Sequence, residues 1–341
     1  MKKLGCNALR EVLQMLCQKL LAIIQDGFPL VERPYMALAE MLNVSEQEVF
    51  DEVEKMRASG VIRRIGGVYD SKKLGFISRL CAGKVPASEN DFSAEPHAQT
   101  PMEMFASVVM SEPAITHNYI RSHEYNVWFT VIAENESAIQ TVVDRVCSQT
   151  DLHDVHVLIA TKKFKINTVM GKVTAPRHSE DRRDEESSKL PGTLSESDRL
   201  RIHIACDDIP HSLTPFKDWG VSCEELREDI ATKRMRRFGA ILRHQDAGFP
   251  CNAMVCFSRH SERSEESSKV RLLAKKHFVS HCYERPAFEN FEYNLYAMMH
   301  AQTPEELDGF IKESVALLDN PEFVVLHSLK ELKKTSFRFF A

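Results

Sequence analysis

The chain has 341 residues, of which 43% are apolar and 27% are charged, and its formal net charge is −5. This length allows two or more domains, each with its own hydrophobic core. The acidic balance argues against a dedicated nucleic-acid binder, and no stretch approaches the roughly 18–20 apolar residues of a membrane helix. The nine cysteines show neither CxxC pairs nor zinc spacing, which is typical of thiols in a reducing compartment. We therefore expect a cytoplasmic protein that binds neither nucleic acid nor membrane.

The first part of the chain predicts three helices and a strand pair. Apolar residues at helical spacing run through 11–25, and Pro34 stands near the start of a second helix. In the third helix, Ser45 is placed as an N-cap and Glu48 as its capping-box partner. The stretch VIRRIGGVYD at 61–70 follows as a short hairpin. This order is typical of a winged helix-turn-helix.

The next part predicts strands and helices in alternation. In chain order they are strand 75–84, helix 101–111, strand 114–122, strand 126–133, helix 135–148 and strand 155–166. A βαββαβ order is typical of a ferredoxin-like antiparallel sheet with two helices on one face.

The whole pattern then occurs a second time. The Arg-Arg pair, the histidine motif and the Tyr-Asn pair recur in the same order at offsets of 164 to 173 residues, which indicates two tandem copies of one module. The second copy predicts helices at 195–206, 214–220 and 222–234, a strand pair at 235–244, strand 251–257, helix 270–277, strand 279–285, strand 293–300, helix 304–318 and strand 323–329.

We therefore predict an α+β fold of two tandem modules, each a winged helix-turn-helix followed by a ferredoxin-like sheet. The predicted winged-helix domains are 1–70 and 194–246, and the ferredoxin-like domains are 71–172 and 247–341. Two Ser/Glu/Arg-rich segments, 176–189 and 258–269, cannot bury a core, so we expect disorder in the linker 173–193 and in the insert 258–269. The halves are expected to pair like the subunits of a heterodimer, and further homo-oligomerisation stays open.

A His-x-Tyr-x-Arg motif lies on a predicted strand in each copy. The two sets are His117, Tyr119 and Arg121 in the first copy and His281, Tyr283 and Arg285 in the second. Alternate residues of a strand share a face, so each set presents its three side chains together. An imidazole transfers protons, and a guanidinium binds a carboxylate through two bonds. The alternative is an ordinary polar outward face, which seldom repeats residue by residue.

Further basic side chains accompany the two sets. They are Arg63, Arg64, Arg236, Arg237, Arg243, His244, Lys163 and Lys165. Neighbouring residues on a strand point to opposite faces, so at most one of each arginine pair addresses a given pocket, whereas the two lysines share a face. The alternative for each is a solvated or structural cation. Phosphate loops, nucleophile elbows and zinc motifs are absent from the sequence, and a cation-rich pocket without them favours a polyanionic carboxylate substrate and simple proton chemistry.

Several longer stretches resemble one family. The chain contains, in this order, GFPLVERPYMALAEMLNVSEQEV, GVIRRIGGVYDSKKLGF, THNYIRSHEYNVWFTVIA, MRRFGAILRHQDAGFPCNAMV, SHCYERP and YNLYAMMHA. Together they resemble the siroheme decarboxylase family, with its two subunit types fused, over most of the chain outside the two inserts. The resemblance implies an Lrp/AsnC-like fold and removal of two acetate carboxylates from siroheme, giving 12,18-didecarboxysiroheme for alternative heme or heme d1 synthesis. The chain departs from the family in a longer linker, ASENDFSAEPHAQTP, and in the second-half insert.

This chemistry suits the repeated residues. Our hypothesis gives His117 the role of proton donor, with Tyr119 beside it and Arg121 and one of the first arginine pair as carboxylate clamps. The set of His281 is its pseudo-symmetric counterpart. The resemblance implies no added cofactor or metal, because the siroheme substrate carries its own iron. A histidine of this kind either donates a proton or ligates that iron, and the sequence does not separate the two roles.

The alternative function is a ligand-responsive Lrp/AsnC-type regulator or a heme sensor. A recognition helix that binds DNA offers cations to phosphates. The candidate helix 45–58 instead carries five acidic residues against Lys55 and Arg57, and the counterpart helix in 222–234 is also rich in acidic residues. We therefore expect these helices to serve as scaffold.

Overall fold

A computed structural model of the chain describes residues 16–86, 99–150, 152–166, 194–242, 250–259, 264–334 and 337–340. They form two compact units. The helical unit contains the described residues of 16–75, 194–242 and 338–340, and the sheet unit contains those of 76–166 and 250–337. Each unit draws on both halves of the chain. The C-terminal residues 338–340 belong to the helical unit, although the sequence assigned them to the second ferredoxin-like domain.

The elements of the second half follow the order of the first, as the internal repeat predicts. The described helices are α1 (16–26), α2 (Pro34–Leu42), α3 (Glu46–Ala58), α4 (Pro101–Ser111), α5 (Glu136–Thr150), α6 (Glu196–Ala205), α7 (Pro215–Trp219), α8 (Cys223–Ala231), α9 (Ser264–Lys275) and α10 (Pro304–Leu317). The described strands are β1 (Ile62–Tyr69), β2 (Ile77–Gly83), β3 (Ile115–Arg121), β4 (Val127–Ala133), β5 (Val155–Leu158), β6 (Lys162–Ile166), β7 (Met235–Leu242), β8 (Cys251–Phe257), β9 (Val279–Glu284), β10 (Leu295–Ala301) and β11 (Phe323–Lys334).

Local signals set several helix starts. The capping box predicted at the start of α3 is confirmed: the backbone N–H of Glu48 donates to Ser45 Oγ, and the Glu48 carboxylate accepts from the backbone N–H of Ser45 at 2.8 Å. Thr100 caps α4 and Ser195 caps α6 in the same way. Each such cap contributes about 1 kcal/mol by satisfying N–H groups that the first turn leaves without partners.

The helical unit is joined by a strand from each half. Residues 61–70, predicted as a strand pair, contain the single strand β1, which pairs antiparallel with β7. Gly66 lies directly opposite Gly239, so the pairing is centred on equivalent positions of the two copies. Within the described residues, each half thus contributes one strand here, and the pair is completed by the other half.

The two glycines permit a close approach of helix ends. A Cβ on Gly66 would lie 2.3 Å from the carbonyl oxygen of Asp207, which follows α6, and one on Gly239 would lie 2.5 Å from the carbonyl oxygen of Ile24 in α1. Real Cβ atoms do not come this close to backbone oxygen. Glycine thus allows the first helix of each half to cross the strand of the other half.

The sheet unit contains a sheet of nine described strands in the order β5-β2-β4-β3-β11-β8-β10-β9-β6, paired antiparallel throughout. The first part of β11 pairs with β8 of its own half, and the second part pairs with β3 of the other half. In the first half, two separate strands make the equivalent pairings: β5 pairs with β2 of its own half, and β6 pairs with β9 of the other half. Three residues separate β5 from β6, which limits the distance between the two ends of the strand order to about 14 Å. The two edge strands therefore lie near each other where β5 ends and β6 begins.

The two faces of the sheet bury different cores. On one face, α4 and α5 cover the first-half strands, and α9 and α10 cover the second-half strands. We call the opposite face the inner face; it buries side chains of both halves, among them Trp128, Met254, Tyr296 and Leu326. Burial of a large apolar side chain contributes about 1.5–3 kcal/mol. The inner face therefore holds the two halves together.

Two segments depart from the sequence prediction. Residues 155–166 form β5 and β6 rather than one strand, because they pair with different halves. Residues 264–269, predicted to be disordered, form the first turns of α9, which replaces the helix expected at 270–277. The buried Val270 and Leu273 anchor this longer helix. Residues 260–263 and the linker 173–193 lie outside the described residues.

Candidate functional site

The two His–Tyr–Arg sets lie on β3 and on β9 with Arg285 directly after it, and they point to the inner face. Tyr119 is paired across strands with Trp128, and Tyr283 with Tyr296. Both partners belong to the inner-face core, and directly opposed residues of an antiparallel pair share a face. The sets are thus brought to one face of a sheet that both halves build.

A hydroxyl group holds each histidine. Oγ1 of Thr116 lies 2.9 Å from Nδ1 of His117, and Oγ of Ser280 lies 2.9 Å from Nδ1 of His281. Both hydroxyl residues occupy bulges, where the strand pairing skips one position. The hydroxyl therefore helps to fix the orientation of each half-buried ring, and the role of the two histidines in proton transfer stays a prediction.

The two arginines bind the strands that link the halves. Arg121 Nη1 donates to the carbonyl oxygen of Leu326 at 3.1 Å and to Ser328 Oγ at 3.0 Å. Arg285 Nη1 donates to the carbonyl oxygen of Leu158 at 2.6 Å. Burial lowers the pKa of Arg121 to about 10 and also lowers the pKa of Arg285. Within the described residues, Nε of each is buried without a hydrogen-bond partner. Their role as carboxylate clamps stays a prediction.

The two lysines of β6 point to opposite faces. Lys163 is opposite Tyr283 of the inner face, whereas Lys165 Nζ donates to the carbonyl oxygen of Lys276, just after α9, at 2.9 Å. Burial lowers the pKa of Lys165. The prediction that they share a face is wrong, because the pairing slips by one residue at Phe164 and breaks the alternation.

Arg64 and Arg237 have structural contacts in the helical unit. Arg64 donates to the carbonyl oxygens of Asp207, at 3.4 Å, and Gly67, at 3.2 Å, and Arg237 donates to that of Gln25 at 2.6 Å. Burial lowers the pKa of Arg64 to about 10. Cations beside the last carbonyls of a helix are stabilising. These contacts explain the presence of one arginine of each pair without requiring that it bind a ligand.

The other predicted binding residues are Arg63, Arg236, Arg243 and His244. Arg63 is half-buried, and Arg236 forms an exposed ion pair with Asp70 at 3.1 Å, a contact worth about 0–1 kcal/mol. Arg243 and His244 lie outside the described residues. A role in substrate binding stays a prediction for all four.

The asparagines of the two Tyr-Asn pairs make structural contacts. Asn126 Oδ1 accepts a hydrogen bond from the backbone N–H of Val85 at 2.9 Å, and Asn126 Nδ2 donates to the carbonyl oxygen of Val85 at 2.8 Å. Asn294 makes the same two bonds to Arg259, at 3.0 and 2.8 Å. The repeated asparagines thus pair with main chain at equivalent points of the two copies.

Sequence reasoning missed a hydrogen-bonded chain behind the second set. Ser280 Oγ lies 2.8 Å from Nε2 of His300, which is 6% exposed. The counterpart of His300 in the first half, 168 residues earlier, is Ile132. The signal that could have identified this histidine is its alternation with Tyr296 along β10, which predicts the inner face.

A second missed cluster lies around Tyr125. His156 Nε2 is 2.8 Å from Asp154 Oδ1, and the hydroxyl of Tyr125 is 3.3 Å from the same nitrogen. The His156 ring stacks on Phe288, with centroids 4.3 Å apart. Burial raises the pKa of Tyr125. Val324 stands at the position equivalent to His156 in the second half, so this cluster is not repeated.

Metal ligation and cavity shape do not locate the site. Within the described ranges, no group of three or more His, Cys, Asp or Glu side chains is arranged to hold a metal ion. A cavity of about 350 Å³, lined by Ala22, Ile23, Asp26 and Gly27, belongs to the helical unit. A tetrapyrrole-sized hollow therefore stays a prediction, and the site is identified by its side chains.

Among the helices that the structure describes, none is long and apolar enough to span a membrane.

Two family models match the chain. The AsnC-like ligand binding domain matches residues 73–165 and 246–333, which cover the sheet unit in both halves. The Siroheme decarboxylase NirDL-like HTH domain matches residues 18–63. These matches confirm the predicted combination of helix-turn-helix and AsnC-like domains in an α+β fold.

Known proteins resemble the chain over most of its length. The siroheme decarboxylase of Hydrogenobacter thermophilus is 30% identical over 332 residues, 95% of this chain and 94% of that protein. The alpha and beta subunits of the Desulfovibrio desulfuricans siroheme decarboxylase are 41% and 31% identical over 47% and 43% of this chain, and over 85% and 97% of the subunits. The crystal structure of the siroheme decarboxylase NirDL in co-complex with an iron-uroporphyrin III analogue matches with a TM-score of 0.66 and 27% identity, covering 95% of this chain and 94% of that chain.

Proposed function

Since the chain belongs to the siroheme decarboxylase family and is a carboxy-lyase, we propose that it removes two acetate carboxylates from siroheme, giving 12,18-didecarboxysiroheme. The product would enter alternative heme or heme d1 synthesis. The observation that carries the proposal is the pair of His–Tyr–Arg sets on the inner face, kept in both halves. A solved relative binds an iron-uroporphyrin III analogue, a ring of the same class.

The chemistry needs a proton donor and cations. Loss of CO₂ from an acetate arm leaves an electron pair on the methylene carbon, and a proton delivered there produces a methyl group. An imidazole placed by a hydroxyl, as His117 and His281 are, supplies such a proton and typically accelerates a reaction about 10²–10⁴-fold. Arg121, Arg285 and Lys163 would receive substrate carboxylates. The iron belongs to the substrate, and the proposal includes no further cofactor.

The main alternative, a DNA-binding regulator, is less consistent with the candidate recognition helices. Arg57 of α3 is paired with Asp208, and Arg227 of α8 donates to the carbonyl oxygen of Leu30 at 3.1 Å. Arginines engaged in this way are poorly placed to bind phosphates. The eight described cysteines form no disulfide, which supports the proposal of a cytoplasmic site of action.

Anaerobic incubation with siroheme, followed by mass measurement of the tetrapyrrole, tests the proposal. The wild type should yield a product lighter by two CO₂. His117→Ala and His281→Ala, tested separately, identify the histidine that donates the proton, and a loss of about 10²-fold or more is expected for that residue. Full turnover by both variants would contradict the assignment of the histidines. Specific DNA binding in a gel shift, without turnover by the wild type, would instead favour the regulator.

A further inference from the structure

We propose that the two His–Tyr–Arg sets are not equivalent, and that Ser280 and His300 form a proton relay that positions His281 and replaces the proton it gives up. The second set would then carry the proton transfer of decarboxylation. This inference rests on the proposed function and specifies which of its two histidines is supplied with protons.

The relay is a continuous chain of three side chains. Ser280 Oγ lies 2.9 Å from Nδ1 of His281 and 2.8 Å from Nε2 of His300, and its distance to the carbonyl oxygen of Met298 is longer, at 3.4 Å. Ser280 and His300 are both 6% exposed, so bulk water does not separate them. A hydroxyl between two ring nitrogens donates to one and accepts from the other, which couples the protonation of the two rings.

The first set has no histidine equivalent to His300. Thr116 holds Nδ1 of His117 just as Ser280 holds that of His281. The residue equivalent to His300 is Ile132, whose side chain carries no proton. The repeat therefore keeps the histidine and its hydroxyl in both halves but supplies a second imidazole in one half.

Charge distinguishes the two sets independently. Tyr283 of the second set is paired across strands with Lys163, and Tyr119 of the first set with Glu331. These partners occupy equivalent positions in β6 and β11. A lysine beside the second set favours binding of a substrate carboxylate, and a glutamate beside the first set disfavours it. At the tyrosine position the charges thus favour the second set, whereas opposite the histidine it is the first set that has a lysine, Lys334, where the second set has Ile166.

The proposed step balances as follows. In the reactive state His300 is an imidazolium, its Nε2–H donates to Ser280 Oγ, and the Ser280 O–H donates to Nδ1 of His281. The bond between the acetate methylene and its carboxylate breaks, CO₂ leaves, and the electron pair takes the proton from Nε2 of His281. The Ser280 proton moves to Nδ1 of His281, and the His300 proton moves to Ser280. One solvent proton then adds to the vacated Nε2 of His281, which is only partly buried. The two relay protons shift back, from Nδ1 of His281 to Ser280 and from Ser280 to His300, and the starting state is restored after each decarboxylation.

Matched variants test the relay in the full chain. His300→Gln retains a polar group but carries no transferable imidazole proton, Ser280→Ala removes the bridge, and Ile132→Gln places the same glutamine in the first half as a control. We expect kcat for siroheme decarboxylation to fall about 10- to 100-fold in the two relay variants, by analogy with the loss of groups that orient metal-binding histidines, with KM unchanged. The dependence of kcat on the D₂O fraction should be curved in the wild type and in Ile132→Gln, because several protons move together, and linear in the relay variants.

The outcomes separate the two proposals. If the wild type releases no CO₂, the proposed function fails and the relay with it. If the wild type is active but both relay variants keep its kcat and its curved D₂O dependence, the relay is overturned and the function stands. A titration of the Soret band with siroheme checks that each variant still binds. If His300→Gln does not bind, Ser280→Ala decides the question.

Discussion

In the proposed function, single residues on the inner face bind the substrate carboxylates, and Lys163 is the clearest candidate because it is opposite Tyr283. We predict that Lys163→Ala weakens siroheme binding about fivefold, as expected for the loss of about 1 kcal/mol from a partly solvated charge contact. The value of kcat should change little, since the lysine does not transfer the proton. Titration of the Soret band gives the Kd, and the difference from wild type should shrink in high salt.

The matched control at the same scale is Glu331→Ala, which removes a charge of opposite sign beside Tyr119. This variant should bind siroheme as well as the wild type or more tightly. If Lys163→Ala and Glu331→Ala weakened siroheme binding equally, the two side chains would act through packing rather than charge, and the charge argument would be wrong.

In the helical unit, each strand packs against the first helix of the other half: β1 packs against the end of α6, and β7 against the end of α1. We predict that Gly66→Ala lowers the free energy of unfolding by about 1–3 kcal/mol, the range for inserting a methyl group into a packed site. The new Cβ would meet the Asp207 carbonyl oxygen, a backbone atom that cannot move aside as a side chain does. Chemical denaturation followed by circular dichroism measures the change.

Gly309→Ala is the control for this element-scale prediction. Gly309 lies within α10, and nothing is within 4 Å of its added Cβ. Alanine at an unhindered helical position stabilises by about 0.5–1 kcal/mol relative to glycine. Unfolding free energies that fall equally in both variants would contradict the role assigned to close approach at Gly66.

At the scale of the whole molecule, the halves depend on each other for their sheets. β1 pairs with β7, β6 with β9, and the second part of β11 with β3. We predict that residues 1–175 and 190–341, produced together as separate chains, assemble into a complex that binds siroheme. The D. desulfuricans relative is named as separate alpha and beta subunits, which supports this design.

Each half produced alone should fail to fold, because it would expose the inner-face core and leave strand edges unpaired. Size-exclusion chromatography and circular dichroism distinguish the cases. A single half that is monomeric, well folded and unchanged by addition of the other half would contradict this interdependence.

The sequence by itself determined the features that depend on local spacing. Helical periodicity and the capping box at Ser45 and Glu48 placed α3, the two tandem copies predicted the order of elements in the second half, and period-two alternation placed each His–Tyr–Arg set on one face. These signals are carried by residues within a few positions of one another, so no knowledge of distant partners is needed.

Only the tertiary structure decided which strands meet and what stands behind each side chain. The pairing of β1 with β7, the opposite faces of Lys163 and Lys165, the contacts of Arg64 with a helix end, and the approach of His300 to Ser280 all join positions whose relation depends on strand register. A slip of one residue turns a side chain to the other face, and that slip is set by packing between segments far apart in the chain rather than by the neighbours of the residue.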